Sequence, residues 1–301
     1  MWTPLSFLSL SPKESDLEAA KIVLVPVPYD STTTYKTGAR DGPFELLRAS
    51  AHLEDFDHEL GINVATIGIH TTSFLEPLLN SPQAMIERIR KTVVPFVQQK
   101  KIVGLLGGDH SITLGSIQAY RDLYPNLSVL YFDAHGDLRD SYMGSKWGHA
   151  NVARRIAETY PVVEVGVRSI SEEEVEFIEG SNVNVFFMNS LDPKPPSHHE
   201  VLAALSSPKI YISVDLDCLD PALMPAVGTP EPGGLSWSQL TGLIEAISKQ
   251  REIVGFDVVE LSPDLGPAAC SFTAAKLVYK LIAYANSSSL PRCQAEDSKD
   301  S

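Results

Sequence analysis

Two stretches of this sequence gather acids and imidazoles at the ends of apolar runs. In LSVLYFDAH, 127–135, a β-branched and aromatic run ends at Asp133 and is followed by His135, Asp137 and Asp140. In KIYISVDLD, 209–217, a similar run ends at Asp215 and Asp217. Side chains two apart on an extended chain point the same way, so Asp133, His135 and Asp137 converge, as do Asp215 and Asp217. A third stretch, LLGGDHS at 105–111, closes a strand with two glycines that permit a tight turn and brings His110 to the start of a helix.

Four carboxylates at the mouth of one sheet, those of Asp133, Asp137, Asp215 and Asp217, repel one another and lose hydration. Without counter-charge they protonate or drive the site apart. Two divalent cations balance them, and His110 and His135 complete the coordination as neutral nitrogen donors. Carboxylate oxygen dominates this donor set, imidazole is the minority and thiolate is absent, which favours two Mn2+ ions per subunit over an iron–sulfur cluster or structural zinc. Nickel, cobalt and zinc also fit the set. Two such ions about 3.5–4 Å apart bind a water between them and lower its pKa toward neutrality, which makes a hydroxide nucleophile. The other acids of these stretches read more plainly: Asp109 as a cap or turn residue, Asp140 and Asp220 as turn residues, the last in an Asp-Pro dipeptide.

Such groups need a sheet to hold them. Eight apolar runs, at 21–29, 63–70, 101–108, 127–135, 162–169, 182–190, 209–217 and 252–261, are mostly continuous enough to be strands buried on both faces. Between most of them, apolar residues recur at three- and four-residue intervals, as in 82–99, 111–124, 236–250 and 271–284, which predicts helices. Strand and helix in alternation predict an α/β fold: a three-layer α/β/α domain around an eight-stranded, mainly parallel sheet, with ligands at the carboxyl ends of the strands. One domain over 1–301 is expected, with its core at about 20–285 and a polar tail at 287–301.

Composition narrows the partners. The formal charge of −14 opposes nucleic-acid backbones and anionic membrane surfaces, so neither is expected and cations are favoured. An apolar fraction of 44% with 21% charged residues is that of an ordinary globular protein. Cys218, Cys270 and Cys293 are too few and too scattered for a disulfide framework or a thiolate zinc site. With no basic leader at the start and no stretch long enough to span a membrane, a cytoplasmic location is expected.

GGDHS, DAHGD, SVDLDCLDPALMPAVGTPEPGG and GFDVVELSP, in that order, resemble the ureohydrolase family of binuclear manganese enzymes, which includes arginases and agmatinases. The resemblance runs from about 25 to about 280, and the joint occurrence of four motifs is highly specific. It implies the arginase/deacetylase-like fold and a particular sharing of ligands. One ion would take His110, Asp133, Asp137 and Asp215, and the other Asp133, His135, Asp215 and Asp217, with Asp133 and Asp215 bridging. It also implies that His149 in WGHANVARR contacts substrate or shuttles protons, that Glu260 holds the guanidinium, and that Asp137 passes a proton to the departing amine. Homotrimers or homohexamers are implied too.

For the substrate, a small cationic guanidino compound, the EPGG form and the segment from Asp137 to His149 are similar to prokaryotic agmatinases, and the GNLHG segment of arginases is missing. The resemblance therefore implies agmatine hydrolysis to putrescine and urea, a step of polyamine biosynthesis. Aminopropylagmatine, guanidinobutyrate, guanidine and arginine are the alternatives, with a non-catalytic metal-binding homologue as a second class. Gly136 departs from the Thr or Ala usual in relatives and would loosen its loop. Asp140 could meet a distal ammonium, whereas Arg139 and Lys146 could hold a carboxylate. The segment PYDSTTTYKTGARDGP, 28–43, resembles the family's opening segment and would border the pocket, its Thr and Ser side chains serving only backbone groups. The histidine pair His198 and His199 lies in a polar segment expected to be a loop or helix start, which argues against a deacetylase.

Overall fold

The computed structural model describes residues 5–189 and 194–286. Ten strands occur among them: β1 (Ile22–Pro26), β2 (Phe56–Asp57), β3 (Ile62–Asn63), β4 (Ile69–Thr71), β5 (Ile102–Leu106), β6 (Ser128–Phe132), β7 (Val162–Val167), β8 (Val183–Phe187), β9 (Lys209–Asp215) and β10 (Glu252–Val259). Eight of these form one sheet in the order β4-β1-β5-β10-β9-β6-β7-β8. Every pairing in it is parallel. The helices are α1 (Gly42–Ser50), α2 (Pro82–Gln98), α3 (Ile112–Tyr120), α4 (Val152–Ala157), α5 (Glu172–Glu179), α6 (His198–Ala204), α7 (Trp237–Ser248) and α8 (Ala268–Asn286). None is long and apolar enough to cross a membrane.

Strand residues alternate between two cores. Ile22 and Leu24 of β1 join α1, α6, α7 and α8 on one face, while Val23 and Val25 join α2, α3 and α4 on the other. Both faces are thus apolar, which is why the strands read as continuous runs rather than alternating ones. Each buried Val, Leu or Ile contributes roughly 1.5–3 kcal/mol. The helices begin where the sequence supplies caps. Ser81 accepts from Ala84 N ahead of Pro82 at the first turn of α2, and Ser236 with Gln239 forms a capping box on α7. His198 and His199 open α6 behind a Ser197 cap, as expected of that segment.

The segment 63–70 differs from the continuous strand expected of it. Asn63 accepts from Ala65 N and starts a 3-10 turn over Val64–Ile67, and Gly68 sits at φ 87, so the sheet strand begins only at Ile69. Residues 62–63 instead pair antiparallel with β2.

That small hairpin is pinned by charge. Lys280 of α8 is buried and places Nζ 2.7 Å from Asp57 Oδ2, with Glu59 as its second partner. Burial pushes the Asp57 carboxyl up, but the bonds from Lys280 and the Leu60 N–H outweigh it and hold the carboxyl below its usual 3.8. The contribution is therefore full above pH 3.8 and disappears as pH falls through the lower folded value. Lys280→Met is expected to cost about 3 kcal/mol at neutral pH by stranding Asp57, read as a lower urea midpoint. An unchanged midpoint would contradict this role.

Candidate active site

Four adjacent central strands, β5, β10, β9 and β6, deliver the chemistry at their carboxyl ends. After β5 the chain turns sharply at Gly107 and Gly108. A Cβ on Gly108 would lie 1.8 Å from the Tyr29 carbonyl oxygen, so only glycine lets this turn pack. The turn buries His110 against the acids: its Nδ1 lies 3.0 Å from Asp133 Oδ2, 3.1 Å from Asp215 Oδ2 and 3.6 Å from Asp137 Oδ2. His135 faces the other side, with Nδ1 3.0 Å from Asp217 Oδ2 and 3.5 Å from Asp133 Oδ1. The two oxygens of Asp133 thus face different imidazoles.

Two groups have donor atoms within 4.8 Å of one another, His110 with Asp133 and Asp137, and Asp133 with His135 and Asp217. Asp133 belongs to both, as a bridging ligand must. Asp215 reaches the first group through Oδ2, while its Oδ1 accepts the Asp217 N–H at 2.8 Å. Asp137 sits at φ 49, the left-handed turn that brings its carboxylate back toward His110.

Charge and satisfaction both fit a pair of cations. Burial first, then Asp133, pushes the Asp137 carboxyl well above its usual range, and burial, then Asp217 and Asp133, does the same to Asp215. Burial would lower the His135 imidazole, yet Asp217 and Asp133 drive it to about 12. Such proton uptake marks uncompensated negative charge. Asp133 Oδ2 is buried and accepts no hydrogen bond. Hard oxygen and imidazole donors so arranged suit manganese-type divalent ions.

A row of buried polar residues lies just beneath the ligands. Register aligns Glu164 of β7 with Tyr131 of β6, Tyr131 with Ser213 of β9, and Ser213 with Asp257 of β10. Ser213 Oγ accepts from His110 Nε2 at 2.9 Å and donates to Asp257 Oδ1 at 2.6 Å. Tyr211 donates to the other Asp257 oxygen at 2.8 Å. This relay keeps the proton of His110 on Nε2 and leaves the Nδ1 lone pair for a metal. Tyr131 stacks on the His110 ring and donates to Asp137 Oδ2 at 2.9 Å. Asp257→Asn is expected to lower metal affinity roughly 10–100-fold with the fold retained, measured by metal titration followed calorimetrically. Wild-type affinity would remove Asp257 from this role.

Glu260 follows β10 directly at φ 66, and its Oε1 accepts the His110 N–H at 2.8 Å. Burial, then Asp109, pushes its carboxyl well above the usual range. His149 Nδ1 lies 3.9 Å from the same oxygen. Burial first, then the neighbouring His110 and His135, lowers the His149 imidazole to about 4. A cavity of about 230 Å³ opens over Asp133, His135, Asp137, Asp215 and Asp217 and is walled by His149 and Arg139.

The structure brings together all eight residues named from the sequence, six of them lining the cavity and His110 and Glu260 bonded to each other at its edge. It also corrects several smaller expectations. The Thr side chains of 31–34 do more than satisfy backbone: Thr34 Oγ1 lies 3.1 Å from His149 Nε2, and Thr32 Oγ1 accepts the His149 N–H at 3.0 Å while donating to Asp109 at 2.9 Å. Asp109 also accepts from Ser111 N, a turn role, and Asp220 accepts from Ala222 N. Asp140 pairs with Lys146 at 2.9 Å and Arg155 at 2.7 Å, and neither it nor Lys146 lines the catalytic cavity. Gly136 packs closely: a Cβ there would lie 3.2 Å from Ile170 Cδ1 and 3.3 Å from Glu174 Oε1. The sequence also gave no notice of Arg168, whose guanidinium bonds the carbonyls of Asp217 and Glu231 and braces the second ligand loop.

A parallel α/β/α sheet with an acid and imidazole centre at its carboxyl edge defines a metal-dependent hydrolase class. Residues 20–283 match the arginase family model, and the chain belongs to the arginase family as a ureohydrolase. An N(1)-aminopropylagmatine ureohydrolase of Thermus thermophilus is 39% identical over 271 residues, covering 90% of this chain and 92% of the relative. Another from Synechocystis is 36% identical over 288 residues, covering 93% and 94%. Among solved structures, agmatine ureohydrolase of Thermoplasma volcanium superposes with a TM-score of 0.82 at 35% identity, covering 91% of this chain and 93% of that one.

Proposed function

We propose that this chain hydrolyses a linear guanidino amine at two manganese ions, with N(1)-aminopropylagmatine as the preferred substrate and spermidine and urea as products. The observation that carries the reaction class is Asp133, shared between two ligand groups. The names of the two relatives support the longer substrate. Agmatine, giving putrescine and urea, is the second reading, favoured by the Thermoplasma neighbour and the EPGG segment.

When bound, the metals neutralise the carboxylates and activate a water for attack on the guanidinium carbon. The chain's own residues do the rest. Glu260 offers a carboxylate to the guanidinium nitrogens. Asp137, at the cavity floor, carries a proton toward the alkyl nitrogen as its bond to carbon breaks. His149, held by Thr34, lines the approach and can hydrogen-bond the substrate. Tyr131 and the Ser213–Asp257 relay fix the orientations of Asp137 and His110. Assembly as a homotrimer or homohexamer is part of the same proposal.

Urea release by manganese-loaded protein, compared across N(1)-aminopropylagmatine, agmatine, guanidinobutyrate, guanidine and arginine, tests this reading. The highest kcat/KM is expected on N(1)-aminopropylagmatine, with agmatine second. Preference for arginine or guanidinobutyrate would overturn it.

A further inference from the structure

The catalytic cavity has a neighbour. A second cavity of about 190 Å³ lies between segments 31–34 and 142–151, and Thr34, Tyr142, His149 and Ala150 wall both. The two directions leading away from the ligands differ in chemistry. On one side Arg139 lines the catalytic cavity, its guanidinium 4.9 Å from the Tyr142 ring centroid. Glu174 lines the same cavity 3.9 Å from Arg139 Nε, so a cationic tail laid that way meets a charged pair whose acid is already engaged. On the other side the lining contains no Asp, Glu, Lys or Arg, and six of its residues carry hydroxyls.

Hydroxyl oxygens keep lone pairs free even when their protons are committed. Thr33 Oγ1 donates to the Asp30 carbonyl at 3.1 Å and so retains acceptor capacity. Ser145 Oγ accepts the Trp147 N–H at 3.0 Å and has a second lone pair. An ammonium is three donors and no acceptor, which matches such a wall. Pro82, at the start of α2, adds a ring and no N–H that would compete for these oxygens.

We infer that this second cavity is a subsite for the terminal ammonium and propyl arm by which an aminopropyl guanidino amine exceeds agmatine. The inference rests on the ureohydrolase reading above. Agmatine ends near the shared wall of the two cavities, whereas the longer substrate crosses it and gains hydrogen bonds to hydroxyl oxygens. Selectivity then comes from the 31–34 and 142–151 loops rather than from the metal ligands.

The test is the ratio of kcat/KM for N(1)-aminopropylagmatine to that for agmatine, in manganese-loaded wild type and two variants. Ser145→Phe fills the cavity and is expected to lower the ratio about tenfold. Thr33→Val keeps the side-chain shape, removes one oxygen and is expected to lower it about threefold. A ratio unchanged in both variants, including through a parallel fall on both substrates, overturns the subsite. Hydrolysis of neither substrate by the wild type overturns the guanidino-amine reading and the subsite with it. Turnover of both with no dependence of the ratio on these residues leaves the reaction standing and removes only the subsite.

Discussion

Asp133→Asn is expected to leave a folded protein that holds at most one metal ion per chain and releases urea at least a thousandfold more slowly. Asp133 is the residue whose two oxygens face the two imidazoles, at 3.0 Å from His110 and 3.5 Å from His135. The amide keeps the size of the side chain but removes one of the charges that balance two divalent cations. It also turns an N–H2 donor toward one ion. Losing a metal's stabilisation of charge in the transition state costs on the order of 4 kcal/mol, or about 10³ in rate. Metal analysis of the desalted variant beside urea release distinguishes this from unfolding, because the buried sheet beneath the site is untouched. Full occupancy by two ions would refute the bridging assignment.

Glu260→Gln is expected to keep both ions and lower kcat/KM about a hundredfold. The glutamine retains an oxygen for the His110 N–H, so the turn that aims the imidazole survives. What it loses is a charge-assisted hydrogen bond to a guanidinium, about 2–3 kcal/mol, which corresponds to that factor. Retained metal with depressed kcat/KM separates a residue that grips substrate from one that only supports the site. Wild-type kinetics would remove Glu260 from substrate binding.

Most of the strands, and the acids and imidazoles gathered at their ends, were legible in the sequence for one reason. Chains such as YISVDLD set apolar continuity against closely spaced acids, and an acid at the end of a doubly buried strand has few structural uses. The strand order was not legible, since β5 and β6 are consecutive in this sheet's chain yet separated in space by β10 and β9. Nothing local records that crossover. Segment 63–70 misled because its apolar content suits a strand, while the capping by Asn63 and the positive φ of Gly68 depend on short-range turn chemistry that overrides composition.

The supporting residues were hidden differently. Ser213 and Asp257 are polar positions inside apolar runs, and their signal was that very mismatch: a buried polar group needs a partner. Glu164 carries the same signal, and burial, then Asp133, pushes its carboxyl well above the usual range beside Tyr131. Thr32 and Thr34 had no such mark, because a hydroxyl-rich loop reads the same whether it binds backbone or steadies a histidine 115 residues away in sequence, as Thr34 does.

The most direct test of the two-metal account is urea release by chelator-stripped protein as manganese is returned, with bound metal counted at each step. Activity on N(1)-aminopropylagmatine or agmatine is expected to rise with occupancy and to plateau at two ions per chain. Undiminished urea release by the stripped protein, or a plateau with a single ion bound, would contradict it.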